Sequence, residues 1–130
     1  IDTPVSLVEI YATLADLAGL PEKDDINIDS RSLVPLLKDP DAEWKSPALM
    51  TMGRGNHAIR TPEWRYIRYA DGTEELYDCR TDGAWNHDNL LVGPEADEHA
   101  PIAAELRRWL PEEEAPEGPV YQRIRPRKGR

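Results

Sequence analysis

From Ser6 to Ala18 the polar residues Glu9, Thr13 and Asp16 recur at i, i+4 and i+7, so they form one narrow stripe on a helix. Most of the remaining surface is apolar, with Leu7, Val8, Ile10, Tyr11, Leu14 and Leu17. The pattern predicts a helix over 6–18. Ser6 and Glu9 fit a capping box, Val5 and Ile10 are spaced as its hydrophobic staple, and Gly19 with Pro21 supplies the stop. A helix this apolar needs cover on more than one side, because each large side chain left in water forgoes roughly 1.5 to 3 kcal/mol. Its expected place is against a larger body.

Residues 22–31 read as a polar loop, and 32–39 as a short helix capped by Ser32 with Pro35 in its first turn. Four strands follow, near 48–52, 57–61, 64–70 and 74–79. The third alternates Trp64, Tyr66 and Arg68 on one face with Arg65, Ile67 and Tyr69 on the other, and Asp71-Gly72 marks a hairpin into the fourth. Consecutive strands with tight turns predict an antiparallel sheet. Residues 83–100 read as irregular, 101–110 as a short helix with Pro101 near its start, and PEEEAPEGP (111–119) as a linker. The fold class is therefore α+β, a four-stranded antiparallel sheet with flanking helices over 1–110, followed by a Pro/Glu linker and basic tail at 111–130.

Composition adds constraints. There is no Phe, the apolar fraction is 39%, and 12 of the 130 residues are Pro, so the core must lean on aliphatic residues, Trp and Tyr. Such a core is thin and better completed by a neighbouring domain. The formal charge of −9 is unevenly spread: the last eight residues, RIRPRKGR, hold five cations and no acid, leaving residues 1–122 at −14. An acidic body argues against nucleic-acid binding, which draws its affinity from neutralised phosphates. The tail reads as solvated and disordered in preference to a polyanion patch. No apolar run approaches the roughly 18 residues that a membrane-spanning helix needs. The chain opens at Ile1 without a signal-peptide pattern, so the compartment is undetermined; it would be periplasmic or secreted if an upstream part carries an export signal.

Asp25, Asn27 and Asp29 take the first alternating positions of a calcium loop, but Ser30 stands where Gly is required and Leu36 where the bidentate Glu should be. The reading is a solvated loop. His57, His87 and His99 are far apart, so no metal site is assigned. No G-x-S-x-G elbow is present, and the lone Cys79 reads as a small, partly buried residue at a strand end. No catalytic residue is assigned. Gly53-Arg54-Gly55-Asn56-His57 differs: two glycines allow a sharp turn, and Arg, Asn and His offer guanidinium, amide and imidazole donors to an anionic or polyhydroxy ligand. On composition alone the cluster is an ordinary hairpin turn.

The ordered blocks PVSLVEIYATLADLAGLP, SLVPLL, GRGNHAIRTPEWRYIRYADGTEELYDC and the later NLL, spread over about residues 1–91, resemble the C-terminal subdomain of sulfatases, particularly iduronate-2-sulfatase-like enzymes of the alkaline-phosphatase-like α/β superfamily. Departures are Ala12 for a common Pro, Ser30 for a common Gly, and Gly83-Ala84-Trp85 for a usual D-P-x-E run. The resemblance implies that this chain is the last part of an enzyme that hydrolyses the sulfate ester of a sulfated sugar. It implies a formylglycine, made from a C/S-x-P-S-R motif, and a calcium, both in a partner N-terminal catalytic domain. Cys79 does not fit that motif, since Arg80, Thr81 and Asp82 follow it, and the isolated chain is expected to be inactive. In such enzymes the loop before the AIRT strand lies near the substrate end of the cleft. Arg54, Asn56 and His57 thereby become expected substrate-binding residues, whereas Arg60 is expected to pair structurally with an acid. A phosphodiesterase or phosphonate hydrolase of the same superfamily, and a non-catalytic glycan-binding or interaction module, remain alternatives.

Overall fold

The computed structural model describes residues 2–21, 30–80 and 87–114. Asp25, Asn27 and Asp29 of the loop read as solvated, the departure at 83–85, and the tail beyond 114 lie outside them. The elements are α1 (Glu9–Leu17), α2 (Val34–Lys38), β1 (Ala48–Thr51), β2 (His57–Arg60), β3 (Trp64–Arg68), β4 (Glu74–Asp78) and α3 (Ala96–Arg107). The strands form one antiparallel sheet in the order β1-β2-β3-β4, as their consecutive spacing predicts. Asp71-Gly72 makes the β3–β4 turn, with Gly72 at φ +87° and its N–H bonded to the Tyr69 carbonyl at 3.0 Å. Among the described residues no helix is long and apolar enough to cross a membrane.

The register places Ile59, Tyr66 and Leu76 side by side on one face, where all three are fully buried. Ala103 and Leu106 of α3, with Leu110 just beyond it, cover this row. Arg107 ties the helix to the sheet, donating from Nε to the Tyr66 hydroxyl at 3.3 Å and pairing with Glu74 at 2.6 Å. The outer edge of β4 is finished by Asn89, whose Oδ1 accepts from the N–H of Leu76 at 3.1 Å.

Both N-terminal helices depart from expectation. A turn occupies residues 7–8, the helix begins at Glu9, and no side chain caps it. The Ser6 hydroxyl donates instead to the Leu49 carbonyl on β1, so the capping box does not form. Val5 and Ile10 are exposed and make no staple. More consequentially, α1 turns the first part of its polar stripe inward and its apolar face outward: Glu9 and Thr13 are buried and Asp16 is exposed, while Leu14 is 61% and Leu17 is 63% exposed. Thr13 explains the orientation locally. Its hydroxyl donates to the Glu9 carbonyl at 2.6 Å and accepts from the N–H of Leu33 at 2.9 Å, joining α1 to the start of α2.

In α2 the cap position falls on Leu33, one residue later than expected; the Ser32 oxygen still accepts from the first helical N–H, that of Val34, at 3.2 Å, while its hydroxyl donates to Asp16. The last helix starts five residues before Pro101, which sits inside it. Reading Pro101 as a helix start overlooked the acidic pair Asp97 and Glu98, which favours the positive end of the helix dipole in the true first turn.

Candidate functional site

The turn joining β1 to β2 carries the donor cluster. Gly53 and Gly55 both have positive φ, +76° and +75°. A Cβ on Gly55 would come within 2.9 Å of the Ala70 Cβ in the neighbouring β3–β4 turn, so no other residue fits there without displacing backbone. The glycines therefore seat one turn on the other. Asn56 completes that seam: its Oδ1 accepts from the Ala70 N–H at 3.2 Å, and its Nδ2 donates to the Arg54 carbonyl at 3.2 Å. Both ends of the Asn56 amide thus hold the turn in shape.

His57, the first residue of β2, has its side chain on the face covered by α3 and is 5% exposed. Thr51 is its partner across the β1–β2 ladder, and the Thr51 Oγ1 lies 3.0 Å from His57 Nδ1. On the other side His57 Nε2 lies 2.7 Å from Glu114 Oε1. With Glu114 ionised, Nε2–H donates to the carboxylate; in the neutral imidazole Nδ1 then accepts from the Thr51 hydroxyl. The His57 hydrogen bond, then the Gly55 backbone and the positive charge of Arg54, hold the Glu114 carboxyl below the usual carboxylate range.

The three residues singled out from sequence share this turn, but in different settings. Arg54 is exposed at its tip, Asn56 is engaged in the seam, and His57 is enclosed between Thr51 and Glu114. Thr51 and Glu114 were missed. The hairpin register could have found Thr51, because a five-residue loop centred on Arg54 sets 51 opposite 57. Glu114 had no signal, being one acid in the run read as linker. Arg60 also differs from expectation. Its Nη1 donates to the carbonyls of Thr61, Pro62 and Trp64, so this group clamps the β2–β3 turn rather than an acid. Cys79 follows β4, partly buried, with Sγ 3.8 Å from the Tyr77 carbonyl. Among the described residues no group of three or more His, Cys, Asp or Glu side chains is placed to hold a metal ion.

No family model matches the chain. A sulfatase from Formosa agariphila is 39% identical over 82 residues, covering 63% of this chain and 16% of that protein. Arylsulfatase K from Danio rerio is 35% identical over 81 residues, covering 55% of this chain and 15% of that protein. For arylsulfatase K from Homo sapiens the figures are 31% over 93 residues, 60% and 17%. The chain thus spans about one sixth of the length of the curated relatives it matches. Over more than half of its length, this chain is similar to a short portion of these sulfatases.

Proposed function

We propose that the chain is the C-terminal part of a sulfatase of the alkaline-phosphatase-like superfamily, similar to iduronate-2-sulfatases, acting on a sulfated sugar. The observation that carries this reading is the 39% identity to a sulfatase over a stretch amounting to 16% of that enzyme. The outward apolar face of α1 supports it, since a helix in that orientation is completed by a further layer of protein. In this reading the N-terminal catalytic domain is that layer. It also provides the formylglycine nucleophile and the calcium. The contribution of this chain is packing and one wall of the substrate pocket, with the β1–β2 turn presenting Arg54 and His57 toward the sugar and Asn56 keeping the turn rigid.

The test is His57→Ala in the full-length protein. Losing a buried donor leaves its substrate partner unpaired, so kcat/KM for the natural sulfated sugar should fall by the equivalent of about 1 to 3 kcal/mol. A small aryl sulfate, which lacks the sugar groups, should be affected less. Equal losses on both substrates at unchanged thermal stability would assign His57 a direct part in the chemistry. No loss on either would return the turn to an ordinary hairpin.

A further inference from the structure

After α3 the chain runs back over the sheet face, and its next residues have little to hold them. Leu110 is in the core, but Pro111, Glu112 and Glu113 are exposed. The following side chain, Glu114, turns inward and meets His57 at 2.7 Å. Its carboxylate sits where donors converge: the imidazole Nε2, the Gly55 backbone and the positive charge of Arg54 all favour its ionised form. The donor set is not improvised by the acid. Gly55 is fixed by its positive φ and its contact with Ala70, and the His57 ring is oriented from behind by Thr51.

A backbone N–H, an imidazole N–H and a guanidinium charge around one carboxylate are equally suited to the oxygens of another anion. We propose that the β1–β2 turn is an oxyanion site, for a sulfate group or sugar carboxylate, held in a self-occupied state by Glu114. The tethered carboxylate is an internal competitor, present at the millimolar effective concentration typical of a short tether. An arriving anion must displace it, so the apparent affinity of the site is lowered by the fraction of time it is filled. The segment 111–114 thereby acts as an autoinhibitory strap. Glu114 is 31% exposed, so it can leave without opening the core.

The proposal rests on reading this turn as substrate-contacting, and its test needs no catalytic domain. The intact 130-residue chain, labelled with 15N, would be titrated with sodium sulfate at constant ionic strength while the Gly55 amide and His57 ring signals are followed. Glu114→Ala should show saturable shifts at a sulfate concentration at least about tenfold below that needed by the parent chain. Glu112→Ala, in the same exposed segment, should match the parent. Equal sulfate affinity in the parent and Glu114→Ala, or no saturable shift in a folded Glu114→Ala, would reduce Glu114 to a structural latch and overturn the proposal. Should Glu114→Ala fail to fold, Glu114→Gln keeps an acceptor for His57 while removing the charge, and is held to the same comparison. A parallel titration with acetate separates the two ligand sources. Sulfate should bind more tightly, and the reverse would assign the site to a sugar carboxylate. Failure of His57→Ala to alter full-length activity would leave these outcomes unchanged, so the two readings fail separately.

Discussion

Charged side chains do two different kinds of work on this small sheet, depending on how much water reaches them. At the far end of β4 Arg80 grips Asp78 through Nη2 at 2.5 Å and Nε at 3.0 Å, and its backbone N–H adds a third bond at 2.9 Å. The guanidinium also lies over the Trp64 ring, 4.7 Å from its centre. The Arg80 side-chain bonds, then its backbone N–H, lower the Asp78 carboxyl to about 2. A depressed carboxyl contributes stability that is present above its ordinary value of 3.8 and is lost as pH falls through about 2. The contribution is small, because the Arg80 side chain is 57% exposed and solvent screens such pairs. Arg80→Ala should therefore raise the Asp78 carboxyl only part of the way to 3.8, since the backbone bond survives, and should barely change stability at neutral pH. An NMR titration reads the first and thermal melts the second; an unmoved Asp78 would mean that the side chain is not the cause. His57 and Glu114 are the contrasting case. There the imidazole is enclosed, and the same kind of pairing shapes a site rather than a surface.

The elements that could be read from sequence are those whose determinants are local. Alternation over residues 64–68 and the Asp71-Gly72 turn fixed two strands to within one or two residues, and the observed register follows from them. The orientation of α1 could be read only in half. Its polar stripe and apolar surround are plain in the residues, but which of them faces inward depends on partners distant in sequence: Ser30 bonded to the Val8 carbonyl, Leu33 bonded to Thr13, and Leu49 bonded to Ser6. The site was legible as a cluster on a turn. Its enclosure was not, because Glu114 is 57 residues from His57 and sits in a run of acids with no periodicity. The α1–α2 junction gives this scale its test. Thr13→Val keeps shape but removes the acceptor for the partly buried Leu33 N–H, so it should destabilise the chain by about 1 to 2 kcal/mol in denaturant unfolding at unchanged m-value. A variant as stable as the parent would show that this bond does not hold the helix pair together.

At the scale of the whole molecule, the unresolved balance is the apolar face of α1. Leu7, Val8, Leu14, Leu17 and Leu20 all lie more than half exposed on one segment, a clustering of large apolar side chains that marks a surface made for a partner. The proposed catalytic domain would remove that patch from water, and without it the chain is expected to associate with itself or to leave the helix open to exchange. Leu14→Glu with Leu17→Glu discriminates. Both side chains are solvent-facing in the isolated chain, so the change should alter its unfolding free energy by no more than about 0.5 kcal/mol per site. It should nonetheless abolish concentration-dependent light scattering where the parent shows it. In the full-length protein the same two carboxylates would be driven into an apolar interface, where an unpaired charge is costly, and the α1 amides should lose exchange protection. The reading fails if the parent chain is monomeric at all accessible concentrations with α1 amides as protected as those of β3, because the helix would then be held by contacts within these residues and would need no further layer.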